Sequence, residues 1–217
     1  MNKKEKIYWI LAAVMLVLFG GLILLLKGVD VAAIGPQGSK IGLSALNGAV
    51  RDQFPFHEWW YEITDWMSLF VLLIPACFAL LGLWQLMKGK SLKAVDRDIY
   101  LLGGFYIVVF AAYLFFDQWV INFRPVLIEG VLEPSFPSSH TMIFICVMAT
   151  AIHQISRRLA DPSLKGIGRV LLYLILTFVL VGRIISGVHW FTDILGGIFL
   201  SLFFIFIYLA VDERLKK

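Results

Sequence analysis

Three polar clusters interrupt a strongly apolar sequence, and the first of them pairs an imidazole with a carboxylate. The stretch "GVHWFTD" places His189 and Asp193 four residues apart, so both side chains share one face if the stretch is helical. A carboxylate beside an imidazole fixes its tautomer and stabilises the cation that forms when the other ring nitrogen attacks an electrophile. The spacing therefore predicts a nucleophilic histidine. The plainer alternative is an interfacial pair that only caps a helix.

The second cluster, "FPSSH", lies directly before the apolar run "TMIFICVMATAI". Ser138 or Ser139 suits the N-cap of a helix that continues through this run. A helix start offers free backbone N–H groups and the positive end of the helix dipole, which together favour phosphate. His140, in the first turn, is placed to hand a proton to a leaving oxygen. The alternative is an ordinary serine cap with an unrelated histidine beside it.

The third feature is a pair of arginines, Arg124 before a proline and Arg183 six residues before His189. A guanidinium presents a planar fork of donors that matches phosphate oxygens, although a lone arginine also snorkels to lipid headgroups. Taken together, the clusters predict phosphoryl transfer without a metal or other cofactor. In that reaction the arginines stabilise the transferred charge, one histidine attacks and the other protonates the leaving group.

The composition predicts that these clusters lie in a membrane protein. Of the 217 residues, 60% are hydrophobic and only 16% are charged, and the mean hydropathy is +0.85. Runs of ~20 apolar residues are long enough to cross a bilayer as helices. We therefore predict an all-α, polytopic fold with six transmembrane helices, at about 7–26, 67–87, 99–116, 140–156, 169–187 and 192–211.

The basic residues are distributed unevenly between the two sides of the predicted bundle. Fourteen of the nineteen lie in the N-terminal segment, the loops after the second and fourth spans, and the C-terminal tail. By the positive-inside rule both termini are cytoplasmic and the three polar clusters meet near the outer face. The net charge of +4 is thus explained by topology, and no nucleic-acid partner is expected. In the long outer loop, 28–66, the aromatic stretch 51–66 predicts an interfacial helix.

The three clusters resemble the signatures of the type 2 phosphatidic acid phosphatase superfamily. Its members are integral membrane lipid phosphatases. The first signature is a lysine followed after six residues by Arg-Pro, and it matches at Arg124 and Pro125. The second, Pro-Ser-Gly-His, is similar to residues 137–140. The third, Ser-Arg followed by His and Asp at fixed spacings, matches at Arg183, His189 and Asp193.

The resemblance implies a role for each matched residue. His189 would form a phosphohistidine, Asp193 would orient it, and His140 would be the general acid. The phosphoryl oxygens would be held by Arg124, Arg183, Ser138 and Ser139.

Three positions depart from the family pattern. Asp117 stands where the family has its lysine, and a carboxylate repels phosphate. Ser139 replaces a glycine, so a hydroxyl must fit where backbone approaches the phosphate. Gly182 replaces the serine before Arg183. Lys40 or Arg51 from the first loop would be the substitutes for the missing lysine.

The sequence therefore predicts one domain over residues 1–217, with the signature region at 117–193, in a multi-pass protein of the cell membrane. The expected activity is metal-independent hydrolysis of a lipid phosphomonoester or diphosphate at the outer leaflet. The favoured substrate is undecaprenyl diphosphate, closely followed by phosphatidic acid and phosphatidylglycerol phosphate. Two alternatives stay open: a lipid phosphotransferase that uses the same phosphohistidine, and a non-catalytic protein that binds or transports lipid phosphates. The sequence does not predict the oligomeric state.

Overall fold

The computed structural model describes residues 1–216, and helices account for most of them. The helices are α1 (Lys3–Gly28), α2 (Ser44–Gln53), α3 (Glu58–Val71), α4 (Leu73–Gly89), α5 (Arg97–Gln118), α6 (Ser139–Arg158), α7 (Pro162–Ile185) and α8 (Phe191–Leu215). Within the described residues there is no β-strand, and the β-pairing is limited to three isolated bridges. The predicted all-α class is confirmed.

Six helical segments are long and apolar enough to span a membrane, as predicted. Helices α3 and α4 form one such segment, Glu58–Gly89, with a break at Leu72. Pro75 explains the break, because it has no N–H to donate and its ring clashes with the carbonyl group four residues earlier.

This second span begins nine residues before the predicted start at residue 67. The sequence prediction was wrong here because Glu58, Glu62 and Asp65 gave this stretch the polarity of a loop. The predicted interfacial helix at 51–66 does not exist as one element. Its first part ends the short helix α2, and its second part is the start of α3.

Helix α6 is the centre of the bundle and carries the longest run of buried residues, packing against both α7 and α8. Helix α1 packs along α8, and the side chain of Asn2 donates a hydrogen bond to Glu213 at 3.4 Å, so the two ends of the chain are neighbours. A Cβ on Gly197 of α8 would lie 2.9 Å from the carbonyl oxygen of Ser138. Glycine thus allows the start of α6 to approach α8 closely, at the end of the bundle opposite the termini.

Ion pairs tie the helices together at the end that carries the termini. Arg158 of α6 contacts Asp96 and Asp98 at 3.1 and 2.7 Å, and Arg157 pairs with Asp212 of α8. A hydrogen bond from Gln85 holds the pKa of Asp96 below its ordinary value. These contacts fix the charge-rich end of the bundle without involving the polar clusters.

Candidate active site

The loop between α5 and α6 folds back on itself as a short hairpin that presents Arg124. The backbone N–H of Arg124 donates to the carbonyl oxygen of Glu133 at 3.0 Å, and that of Ser135 donates to Asn122 at 2.9 Å. Gly130 has a φ of 80° in the turn, a conformation that glycine adopts without strain. The pairing sets the side chains of Arg124 and Glu133 opposite each other.

The hairpin and the start of α6 are attached to the start of α8 by three hydrogen bonds. The indole Nε1 of Trp190 donates to the carbonyl oxygen of Phe123 at 2.6 Å, and the amide of Asn122 donates to Asp193 Oδ1 at 3.2 Å. The backbone N–H of Ser138 donates to the carbonyl oxygen of Asp193 at 2.9 Å. These bonds bring all three polar clusters of the sequence to one place.

His189 lies between a cation and a carboxylate. Its Nε2 is 3.1 Å from Arg183 Nη2, and its Nδ1 is 3.7 Å from Asp193 Oδ2, which also accepts the Trp190 backbone N–H at 3.0 Å. A guanidinium only donates hydrogen bonds, so Nε2 must be the acceptor and we assign the proton to Nδ1, facing Asp193. This is the tautomer in which Nε2 keeps the lone pair that a nucleophile needs.

A tight turn between α7 and α8 carries His189 to this position. Gly187 has a φ of 65°, and a Cβ on it would lie 2.7 Å from the carbonyl oxygen of Phe54. The segment before α3 packs against the turn, where the backbone N–H of His57 donates to the carbonyl oxygen of Ser186 at 3.0 Å. Only glycine combines this backbone conformation with so close an approach.

Burial controls the charge of His189. The side chain is 2% exposed, and this desolvation, with the nearby Arg124 and Arg183 cations, lowers the pKa of His189 well below its ordinary value. The imidazole is therefore neutral near neutral pH, in agreement with the assigned tautomer.

Arg124 has buried N–H donors that no other group of the protein uses. Its Nε lies 2.9 Å from Glu133 Oε2, but the two groups are not aligned as a hydrogen bond. Both Nε and Nη1 of Arg124 and Nε of Arg183 are buried without a hydrogen-bond partner. Buried donors of this kind are costly unless a ligand accepts from them. A cavity of about 40 Å³ opens beside Arg124, with Asp117, Ser139 and His189 also in its walls.

The two serines of "FPSSH" occupy different positions. Ser138 is fully buried and is the N-cap of α6, its Oγ accepting from the Thr141 backbone N–H at 3.4 Å. Ser139 is half-buried and lines the cavity. His140 extends toward α3, where its Nε2 is 2.9 Å from Asp65 Oδ1.

The structure locates the departures from the family pattern. Asp117 is exposed at the end of α5 and lines the cavity, where the family's lysine would stand. Lys40 and Arg51 do not line it, and Arg51 instead lies over the Trp190 ring at 5.7 Å. A Cβ on Gly182 would lie 2.6 Å from Thr64 Cγ2, so the family's serine would require the Thr64 side chain to shift.

Comparison with known proteins agrees with this geometry. The sequence model of the PAP2 superfamily matches residues 54–217, which is more than half of the chain. The chain belongs to the PAP2 superfamily. The match extends well beyond the signature region and takes in helices α3 to α8, so the resemblance read from three short motifs is confirmed.

Two relatives from this superfamily illustrate the similarity. Over 103 residues the chain is 32% identical to phosphatidylglycerophosphatase B of Bacillus subtilis (strain 168), covering 46% of this chain and 51% of that protein. Over 89 residues it is 27% identical to lipid phosphate phosphatase delta of Arabidopsis thaliana, covering 40% and 21%. The matched segment thus spans about half of the first relative and about a fifth of the second.

A solved structure has the same fold. The crystal structure of a transmembrane PAP2 type phosphatidylglycerolphosphate phosphatase from Bacillus subtilis superposes with a TM-score of 0.63 at 19% identity, covering 94% of this chain and 96% of that one. The likeness supports a multi-pass membrane fold for this PAP2 protein.

Sequence reasoning missed three polar residues that contact the site. Asn122 binds Asp193, Thr64 Oγ1 accepts from Arg183 Nη1 at 3.3 Å, and Asp65 contacts His140. Asp65 gave a usable signal, because an ionisable residue next to a long apolar run is a functional candidate by default. Glu133 also contacts the site, because it forms an ion pair with Arg124.

The neutral, buried state of His189 predicts a pH-dependent stability. An unfolded histidine takes up a proton near pH 6.5, whereas folding favours the neutral form, so this stabilisation is present above about pH 6.5 and is lost as the pH falls below it. We expect the melting temperature in detergent to fall between about pH 7.5 and about pH 5.5, and to fall less in His189→Gln. The other three histidines are common to both proteins, so an equal fall in both would contradict the neutral buried imidazole.

Proposed function

We propose that this PAP2 protein is a membrane lipid phosphatase that works through a phosphohistidine at His189. The observation that carries the proposal is the environment of His189 Nε2. This atom is a buried, unprotonated acceptor beside Arg183, and donors of Arg124 and Arg183 next to it lack hydrogen-bond partners. Such a site suits a phosphoryl group, which offers both an electrophilic phosphorus and oxygens for the unused donors.

The geometry supports a two-step reaction. The Nε2 lone pair of His189 attacks phosphorus, the bond from phosphorus to the leaving oxygen breaks, and His140 gives that oxygen a proton. Asp193 stabilises the positive charge that develops on the imidazole of His189. In the second step water attacks the phosphorus of the phosphohistidine and gives its proton to His140, while the bond from Nε2 to phosphorus breaks, so that phosphate leaves and His189 regains its lone pair.

The chain's own cations supply the charge stabilisation that this reaction needs. Arg124 and Arg183 face the developing charge on the equatorial oxygens, and Ser139 and the start of α6 lie beside them. Ser138 holds that helix start in place as its N-cap. For these reasons no step is assigned to a metal ion or another cofactor.

The surroundings of the site support a lipid substrate. A second cavity of about 230 Å³ shares Tyr113 and Ser139 with the first and is lined by His140 and by apolar side chains of α3 and α6. Leu69 and Leu72, at its edge, are more than half exposed on the lipid-facing surface. A lipid can thus bring its phosphate to His189 from the side while its tails stay in the bilayer.

The names of the relatives shift the order of candidate substrates. The protein of Bacillus subtilis is named a phosphatidylglycerophosphatase, and that of Arabidopsis thaliana a lipid phosphate phosphatase. We therefore place phosphatidylglycerol phosphate and phosphatidic acid before undecaprenyl diphosphate, which the sequence alone favoured.

The proposal includes an orientation. Most basic residues lie at the end of the bundle that carries both termini, which supports cytoplasmic termini and a site at the outer face. It also treats residues 1–217 as one domain, because α1, which precedes the matched region, packs along α8.

The two alternatives differ from this proposal at defined points. A phosphotransferase would use the same residues and deliver the phosphoryl group to a lipid acceptor instead of water. A non-catalytic binding protein is favoured by Asp117, whose charge opposes that of phosphate. Binding alone, however, does not explain why His189 is neutral and held between Arg183 and Asp193.

Phosphate release by the detergent-purified protein tests the proposal. With EDTA present, we expect release from phosphatidylglycerol phosphate or phosphatidic acid, and a loss of at least about a thousandfold in His189→Ala, because the nucleophile is removed. His57→Ala is the matched control and should keep wild-type activity, since that side chain is exposed and lines neither cavity.

No release from these lipids or from undecaprenyl diphosphate would contradict the hydrolase. Release that appears only when a lipid alcohol is added as acceptor would favour the phosphotransferase.

The charge of Asp117 generates a second prediction. In Asp117→Lys a positive charge replaces a negative one in the cavity wall, and each exposed charge is worth up to about 1 kcal/mol. We expect KM for the lipid phosphate to fall roughly three- to tenfold, with a smaller effect at high salt. Val120→Lys adds a charge three residues away, at an exposed position outside this cavity, and should change KM little. An unchanged or higher KM in Asp117→Lys would mean that Asp117 does not oppose the phosphate.

A further inference from the structure

Helix α3 lies outside the signature region, yet it brings a carboxylate to the second histidine of the site. Asp65 Oδ1 is 2.9 Å from His140 Nε2, and the two residues are 75 positions apart in the chain. None of the three family signatures includes Asp65. Its side chain is 49% exposed and lies in the wall of the larger cavity, together with His140 itself.

One face of α3 packs against the site over a full helical turn. Tyr61, Thr64 and Asp65 are spaced i, i+3 and i+4, so they share this face. Thr64 Oγ1 accepts from Arg183 Nη1 at 3.3 Å, and the Arg183 guanidinium lies over the Tyr61 ring at 5.6 Å. Gly182 permits the close approach, because a Cβ there would meet Thr64 at 2.6 Å. The position of Asp65 therefore follows from the same packing that holds Arg183.

The contact determines which ring nitrogen of His140 can act on a substrate. A carboxylate only accepts hydrogen bonds, so Nε2 donates to Asp65 when that group is ionised. The other nitrogen, Nδ1, is buried and has no hydrogen-bond partner. In the imidazolium form both nitrogens carry protons, one held by Asp65 and the other free at Nδ1. That second proton is the one available for a leaving oxygen.

We propose that Asp65 is the positioning residue for the general acid, forming with His140 a second carboxylate–imidazole pair beside that of Asp193 and His189. The inference rests on the proposed phosphatase function. While His189 Nε2 bonds to phosphorus and the bond to the leaving oxygen breaks, the Nδ1 proton of His140 moves to that oxygen. Asp65 remains ionised throughout, holds the Nε2 proton, and fixes the direction in which Nδ1 points.

The inference predicts an effect that depends on the leaving group. Phosphatidic acid releases an alkoxide, which must be protonated as it leaves. Diacylglycerol pyrophosphate, with the same tails, transfers its terminal phosphoryl group and releases phosphatidate, a phosphomonoester that leaves readily without a proton because its second pKa is about 6. A defect in general-acid catalysis therefore slows the first substrate much more than the second.

The test compares both lipids in wild type, Asp65→Asn and Glu62→Gln, with initial release of the terminal phosphate as the readout. In Asp65→Asn we expect kcat for phosphatidic acid to fall roughly 10- to 100-fold with little change in KM. We expect kcat for diacylglycerol pyrophosphate to fall less than about threefold. Glu62 is an exposed carboxylate one turn earlier on α3, so Glu62→Gln should leave both rates unchanged. The retained rate on the pyrophosphate also shows that Asp65→Asn is folded.

A second comparison asks whether Asp65 acts through His140. If it does, adding Asp65→Asn to His140→Ala causes no further loss on phosphatidic acid. Equal losses on both lipids in Asp65→Asn, or a full further loss in the double variant, would overturn the inference and leave the phosphatase intact. A wild-type protein that cleaves neither lipid would instead remove the proposed function on which the inference rests.

Discussion

The contact between Arg183 and His189 is the interaction on which the rest of the site depends. A buried guanidinium beside a buried imidazole is tolerable only if the imidazole is neutral and turns its lone pair toward the cation. In the proposed mechanism, that arrangement selects Nε2 of His189 as the attacking atom before any substrate arrives. It also explains the carboxylate of Asp193 on the other side of the ring, where the remaining proton lies.

The fold supplies rigidity around this contact from three directions. The hairpin between α5 and α6 is hydrogen-bonded to the start of α8 through Asn122 and Trp190. The segment before α3 packs on the Gly187 turn, and α3 itself supports Arg183 through Thr64. The candidate site is thus assembled from helix ends and short loops at one end of the bundle. Helix dipoles and free backbone donors at that end favour an anion.

Much of this arrangement was predictable from the sequence, for physical reasons. Bilayer thickness sets the length of an apolar run, so six spans could be counted, and the i, i+4 spacing of His189 and Asp193 indicated a shared face. The signature residues were recognisable because phosphate chemistry limits which side chains can serve. The structure brings Arg124, Arg183 and His189 together, as the spacing of the motifs implied.

The remaining features depend on tertiary contacts that the sequence does not encode locally. The acidic start of α3 looked like a loop, because hydropathy cannot distinguish a solvated carboxylate from one that is paired with a histidine across the bundle. Asp65 is of this kind, because its partner His140 lies on another helix, whereas Glu133 pairs with Arg124 across the α5–α6 hairpin. The turn at Gly187 was equally hidden, since its need for glycine comes from the backbone of residues 54–56.

The central claim is that the phosphoryl group is transferred to His189, and trapping the phosphorylated protein tests it most directly. The protein would be mixed with a substrate labelled with ³²P in its transferred phosphate, quenched rapidly in alkali, and mapped by peptide sequencing. The account predicts a label at His189 that survives alkali, is lost in acid, and is absent from His189→Ala. A label on another residue, or turnover in His189→Ala at the wild-type rate, would contradict it.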